Sequence, residues 1–154
     1  MRPLPTLASV IAKLTSLGVM LPQGRVFLDE YGDSPELSRS LLALIRGGRK
    51  RAGKSLLWCH EAENDPVPAV GDIAVVLDDA HEPAMVTIVA SVNVMPFDRV
   101  DAAYAAIEGE GDGSLAYWRA GHWKFFTREC ERLGWNPHPA MPVVCVVFDV
   151  LHVL

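Results

Sequence analysis

The sequence predicts an α+β fold in which a small mixed or antiparallel sheet curls toward a barrel between flanking helices. Three observations lead there. Apolar side chains recur at helical spacing near the start of the chain, at Leu7, Val10, Ile11, Leu14 and Leu17. The middle is rich in β-branched residues, in "IAVVLDD" and "AMVTIVASVNVMPF". An amphipathic stretch from about Leu115 to Leu133 and a final run, "VVCVVFDVLHVL", complete the pattern.

In chain order, Thr6 to Leu17 reads as a first helix that stops at Gly18. "RVFLDEYGDSPEL" is a short apolar run leading into a second helix start, where Ser34 or Asp33 caps, Pro35 suits the first turn and Glu36 complements the dipole. That helix carries Leu37, Leu41, Leu44 and Ile45 on one face and ends at Gly47-Gly48. "KSLLWCH" is expected to be extended, and "DPVPAVGD" to be a turn. "IAVVLDD" reads as a buried strand, "AHEP" as a hairpin connection, and the long β-branched run after it as a strand that bends or bulges. Helical pattern returns at "RVDAAYAAIE", and a glycine-rich acidic loop, "EGEGDGS", separates it from the amphipathic helix. On that last helix Leu115, Trp118, His122, Phe125, Phe126, Cys130 and Leu133 lie near one stripe.

A chain of 154 residues, half of them hydrophobic and 21% charged, is one globular domain and not a disordered segment. The three cysteines, Cys59, Cys130 and Cys145, are odd in number and lack CxxC spacing. They signal neither a disulfide framework nor a zinc site, and read as buried thiols in a reducing compartment. Lys13 interrupts the apolar N-terminal stretch, which reads as an amphipathic helix and not a signal peptide. No apolar run approaches the roughly 20 residues that span a bilayer. A cytoplasmic protein without membrane attachment is expected, its oligomeric state open between monomer and homodimer.

The charge distribution points to a site. Arg46, Arg49, Lys50, Arg51 and Lys54 place five cations within nine residues, and no Asp or Glu occurs between Leu37 and His60, although the net charge is -5. Such acidity argues against a general grip on duplex nucleic acid but allows one local anion site. The cations could simply be a solvated face that meets a helix C-terminus. Alternatively they cradle a phosphate or a nucleobase, with Gly47, Gly48 and Gly53 admitting close backbone approach. The GxxxxGK[ST] phosphate loop is absent.

Glu108 ends a helical segment, where a carboxylate opposes the dipole, so a compensating cation is expected beside it, a metal or a lysine. Its removal is expected to leave the fold as firm or firmer. Glu110 lies between two glycines and reads as solvated, while Asp112 or Ser114 reads as the cap of the next helix. His122 reads as a satisfied core histidine. HExxH, GxSxG and His/Cys clusters are absent, which disfavours zincin, serine-hydrolase and zinc-deaminase chemistry.

Several blocks read together resemble the ASCH domain proteins: "FLDEYGDSPELSRSLLALIRGGRKRAGKSLLW", "PAVGDIAVVLDDAHEPAMV", "MPFDRVDAAYAAIEGEGDGSLAYWRAGHWKFF" and "PVVCVVFDVL". The resemblance runs from about Arg25 to the C-terminus. It implies a small PUA-like β-barrel with flanking helices over residues 25–154, preceded by a helical extension over residues 1–24 that packs on it. It also implies a cleft facing RNA or a modified base, with two activities proposed in the family: hydrolysis of N4-acylated cytidine nucleosides, and ribonuclease action.

Carried over by position, the family's catalytic lysine corresponds to Lys50 and its glutamate to Glu108, while its threonine falls where this chain has Gly53. Ser55 is the nearby hydroxyl. On one strand it would face the same side as Gly53, roughly 6–7 Å away, and would reach the place only through a bulge. The site expected is catalytic Lys50, Glu108 and Ser55, with Arg46, Arg49, Arg51, Gly53, Lys54 and Arg119 on the substrate. The partner expected is single-stranded RNA or a nucleoside or nucleotide. The activity expected is hydrolytic, with a non-catalytic RNA or nucleotide reader as the alternative, and a divalent metal is left open as cofactor.

Overall fold

Capping residues set the helix boundaries in the computed structural model, which describes residues 3–154. Helix α1 (Leu7–Ser16) starts at Thr6, whose side chain accepts from the Ser9 amide, and α2 (Pro35–Arg46) starts at Ser34, which accepts from Leu37. Helix α4 (Ala102–Glu108) is capped by Asp101, and α5 (Leu115–Leu133) by Ser114 and not by Asp112, which accepts from the Ser114 amide instead. The first two residues of the N-terminal extension lie outside the described residues.

Strands β1 (Val26–Glu30), β2 (Ala52–Leu56), β3 (Ile73–Leu77), β4 (Pro83–Pro96) and β5 (Pro142–Val153) form one sheet in the order β1-β3-β4-β5-β2. The β1–β3 pair is parallel and the others are antiparallel. The long strand β4 shifts register against β5 between Val86 and Thr87 and again between Val89 and Ser91. These irregularities let it bend, so the sheet curls into an incomplete barrel whose two edge strands, β1 and β2, approach without pairing. Tyr31, just past β1, stands at that seam, its hydroxyl 3.5 Å from where a β-carbon on Gly53 would lie. The expected mixed sheet and barrel curvature are both present.

Two expectations change. The "VFLDE" run is a strand, and the segment after Leu56 is not extended: Leu57–Glu63 forms a short helix, α3, closed by Asn64 at φ 51°. The apolar "LLWC" has no decisive period, and tertiary packing selects the helix. Trp58 meets Trp135 edge-on at 5.7 Å, and Cys59 joins the cluster built on α5.

The two faces of the sheet do different work. Val26 and Leu28 of β1 pack with Val10 and Leu14 of α1 on the outer face. Phe27, Asp29 and Tyr31 alternate with them and face the other way. A separate apolar cluster of Phe97, Trp118, Phe126, Cys130 and Met141 seats α4 and α5 against β2 and β5. Cys130 and Cys145 are buried thiols, and Cys59 is half-buried. No helix among the described residues is long and apolar enough to cross a membrane.

Candidate functional site

The basic run leaves α2 through Gly47 and Gly48, the latter at φ 83°. The amides of Arg49 and Lys50 both donate to the Leu44 carbonyl, at 3.0 and 3.1 Å, and the Arg51 amide donates to Ile107 at 2.9 Å. These bonds lay the run against the end of α4. The two backbones come so close that a β-carbon at Gly109, which sits at φ 65°, would collide with the Arg49 carbonyl. Only glycine ends α4 here without displacing the basic run.

This approach drives Lys50 inward, fully buried, to meet Glu108, which is equally buried. Lys50 Nζ donates to the Ala52 carbonyl at 2.7 Å, to Glu108 Oε1 at 3.2 Å and to Glu110 Oε2 at 3.0 Å. Its three protons are all engaged, and the Tyr31 ring lies 5.7 Å from it. Lys54 reaches the same carboxylates, at 3.5 Å from Glu108 and 3.9 Å from Glu110. The Trp118 indole N–H donates to the other oxygen of Glu108. Burial alone would raise the Glu108 pKa, but Lys54, Lys50 and the indole outweigh it and hold the carboxyl below its ordinary value.

The cation expected beside Glu108 is therefore a lysine. Glu110 is not solvated, as its sequence context suggested, but closes the cluster with 18% of its side chain exposed. With Lys54 at 15%, it is the part of the cluster that a ligand can reach. Glu108 itself is an anion in a buried pair, so its removal is expected to leave Lys50 under-compensated and to weaken the fold, the opposite of what the helix dipole alone suggests.

His122, one turn beyond Trp118 on α5, is part of the site as well as the core. Its Nδ1 lies 2.7 Å from the Trp118 carbonyl, which can only accept, so Nδ1 carries the proton and Nε2 is bare. That Nε2 faces Glu108 and Glu110 at 3.9 and 4.0 Å. Burial and the nearby Lys54 charge push the His122 pKa down to about 3, so the ring is neutral. On β1, burial raises Asp29 to about 6, against the Glu30 amide and the lysines. Burial also holds the Tyr31 phenol well above its usual value, so it remains a proton donor.

Donor atoms of Glu108, Glu110 and His122 lie within 4.8 Å of one another, a spacing that suits a divalent ion. Lys50 and Lys54 already compensate both carboxylates from 3.0 to 3.9 Å. An ion there would have to displace Lys54, so this donor set fits a metal poorly.

The remaining residues singled out in the sequence divide. Lys50, Lys54 and Glu108 come together, with Gly53 between the lysines on β2. Arg49 donates to the Gly111 carbonyl at 2.5 Å, and Arg51 to the Ile45 and Lys50 carbonyls at 2.6 and 2.9 Å, so these two brace backbone. Arg46 is exposed at the end of α2. Arg119 is exposed and reaches the Asp98 and Val100 carbonyls at 3.3 and 3.4 Å, outside the cluster. Arg49, Arg51 and Arg119 thus spend their guanidinium groups on backbone carbonyls of the protein itself.

Ser55 does not take the place of the hydroxyl absent at Gly53. Strand β2 pairs with β5 in unbroken register from Ala52 to Leu56, so no bulge carries Ser55 toward Lys50. Its hydroxyl meets His60 at 2.7 Å instead. Glu110, His122, Trp118, Asp29 and Tyr31 are the neighbours that sequence reasoning missed. Two periodic signals point to four of them: Trp118 and His122 are four apart on a helix, and Asp29 and Tyr31 are two apart along a strand direction.

Comparison with known proteins agrees with this architecture. The ASCH domain family matches residues 28–152. The crystal structure of an ASCH domain from Lactobacillus crispatus JV V101 is 30% identical, with a TM-score of 0.79, over 94% of this chain and 87% of that one. A protein from Enterococcus faecalis V583 is 27% identical, with a TM-score of 0.80, over 96% of this chain and 91% of its own. No curated protein matches.

Proposed function

The chain belongs to the ASCH domain family, for which RNA binding is generally proposed, and we propose that it recognises a nucleobase and hydrolyses an acyl amide carried on it. The base would belong to a nucleoside, a nucleotide or a single-stranded RNA. The observation that carries this reading is the fully buried Lys50–Glu108 pair, with Glu110, Lys54 and the bare His122 Nε2 around it. Stability is a weak reason for such a cluster, since apolar replacements of buried ion pairs are often neutral or better. Perturbed titratable groups converging on a cleft are a functional signature.

The chemistry follows from what each group can do. Lys50, with its protons engaged, holds both carboxylates in place and helps to keep Glu108 ionised. Glu110, the accessible carboxylate, takes a proton from a water that attacks the acyl carbonyl. Lys54 compensates the oxyanion that forms, and the departing exocyclic amine receives the proton back. Tyr31 and Asp29, on the facing strand edge, supply a donor and an acceptor for the polar rim of the base.

Two ammoniums and two carboxylates balance, so the cluster offers little net attraction to a phosphate chain. A neutral amide on a base suits it better than scission of an RNA backbone. One observation favours a second reading, a non-catalytic reader of RNA or nucleotide: every Lys50 proton is satisfied within the protein.

Incubation with N4-acetylcytidine and with a short single-stranded RNA, each with and without Mg²⁺, separates these readings. The expected result is cytidine and acetate without a metal requirement, with the RNA left intact. Cleaved RNA would replace the amide reading with a ribonuclease. Binding without any product would leave the reader.

A further inference from the structure

Beside the charge cluster, on the other side of Lys54, lies a cleft of about 200 Å³ whose wall includes Lys54, Ser55, Leu56, His60, Phe125 and Arg132. Within it Ser55 Oγ and His60 Nε2 are 2.7 Å apart. The direction of that bond is set from behind. His60 Nδ1 lies 3.1 Å from the Asp65 main-chain carbonyl, which can only accept, so in the neutral imidazole the proton sits on Nδ1. Nε2 is then a lone pair, and the Ser55 hydroxyl donates to it. The Asp65 carboxylate faces the same Nδ1 at 3.3 Å.

The fold holds this arrangement rigidly. Ser55 is on β2, in register with Val144 of β5, and His60 is a buried residue of α3, one turn past the end of that strand. The left-handed residue Asn64 and the bond from the Asp65 amide to the His60 carbonyl at 2.9 Å turn the chain back, so that Asp65 lies behind the ring. A hydroxyl held on the bare nitrogen of an oriented imidazole is the activated-nucleophile geometry, recognised by roles and not by sequence order. The cleft also contains Cys59, but burial first, then the Glu129 charge, raises that thiol to about 11, so it is not a competing thiolate.

We infer that Ser55 and His60 form a second nucleophilic site, separate from the Lys50 cluster, that accepts a short acyl group from an ester. Ser55 Oγ attacks the acyl carbonyl carbon as its proton passes to His60 Nε2, and the oxyanion forms within the cleft. The bond from carbon to the alcohol oxygen breaks, and the alcohol leaves with the proton from His60. Water then attacks the acyl-serine, giving its proton to His60. The carboxylic acid departs and the hydroxyl is restored. The small volume, with Leu56 and Phe125 as its apolar wall, selects short acyl chains.

The test uses a fluorophosphonate probe, with the adduct located by peptide mass spectrometry, and p-nitrophenyl acetate for turnover. The expected adduct is on Ser55. It is absent in Ser55→Ala, falls at least tenfold in rate in His60→Gln and persists in Cys59→Ser. Unfolding curves of each variant establish that the chain tested is folded, and Ser55→Ala, which removes one oxygen, is the variant least exposed to misfolding. An unlabelled Ser55 in the folded native chain overturns the inference. So does undiminished labelling in folded His60→Gln, which would make their bond a tie between β2 and α3 and nothing more. Labelling of Glu110→Gln at the native rate shows that this site acts independently of the amide hydrolysis proposed above.

Discussion

Glu108 Oε1 lies 3.2 Å from Lys50 Nζ, 58 residues away in sequence, and neither side chain is exposed. Each ion is tolerable because the other is present. Lys50→Met should therefore destabilise the fold by about 3–5 kcal/mol, since it strands a buried carboxylate. Adding Glu108→Gln to Lys50→Met should cost less than the sum of the two single changes. Urea titrations of the four proteins check this, and strict additivity would show that the two charges do not interact.

Activity and stability should separate at the two glutamates. Glu110→Gln, at the accessible side of the cluster, should lower turnover of an acylated base at least tenfold, about 1.4 kcal/mol of barrier. Its stability should change by about 1 kcal/mol or less, as for other partly exposed pairs. Glu108→Gln should lose stability along with activity. Turnover and melting temperature measured on both variants decide the assignment.

Stability against pH should reveal Asp29 and His122 as opposing terms. Asp29 has a folded pKa of about 6, above its ordinary value, so it contributes stability below pH 4 that is lost as pH rises through 6. His122 has a folded pKa of about 3, below its ordinary value, so it contributes stability above about pH 6.5 that is lost as pH falls. Between pH 4 and 6 the two slopes largely cancel. Asp29→Asn should make stability rise with pH across that window, and His122→Asn should make it fall. Denaturant midpoints at four or five pH values would show the opposite tilts, and parallel curves for both variants would contradict these environments.

Gly109→Ala should damage the site through the backbone. The residue sits at φ 65°, and its β-carbon would meet the Arg49 carbonyl. Strain in the left-handed region costs about 1 kcal/mol, and the collision must also part α4 from the basic run. The expected result is a loss of stability greater than that strain alone, together with loss of activity. Gly113→Ala is the comparison, since it is also left-handed but has open space around it. Equal effects at both positions would show that the close approach does not matter.

What could be read in the sequence was local. The Ser34 cap, the Pro35 start and the bent β4 follow from residue types next to one another, and they stand as expected. The pairing of Lys50 with Glu108 came through resemblance, because no short-range pattern joins residues so far apart. The arginines could not be assigned from charge alone, since a run of cations does not say which of them will bind carbonyls. Arg49 and Arg51 do so only because the run is folded back on α2 and α4. Glu110 was misread because two left-handed glycines, Gly109 and Gly111, turn it inward from a stretch that looks like open loop. His60 was hidden by the apolar run around it, whose helix depends on Trp135 and α5 for support.

Among the described residues, strand β2, which carries Lys54 and Ser55, is held in the sheet by β5 alone, and the Arg51 carbonyl beside Lys50 receives the Phe148 amide of that strand at 2.9 Å. The basic run is made well before β5, yet its geometry waits for that strand to be translated. Pairings so distant along the chain close slowly. A nascent chain still short of β5 would display its cations without their ordered partners, and its charge cluster would take shape in the same event that completes its sheet.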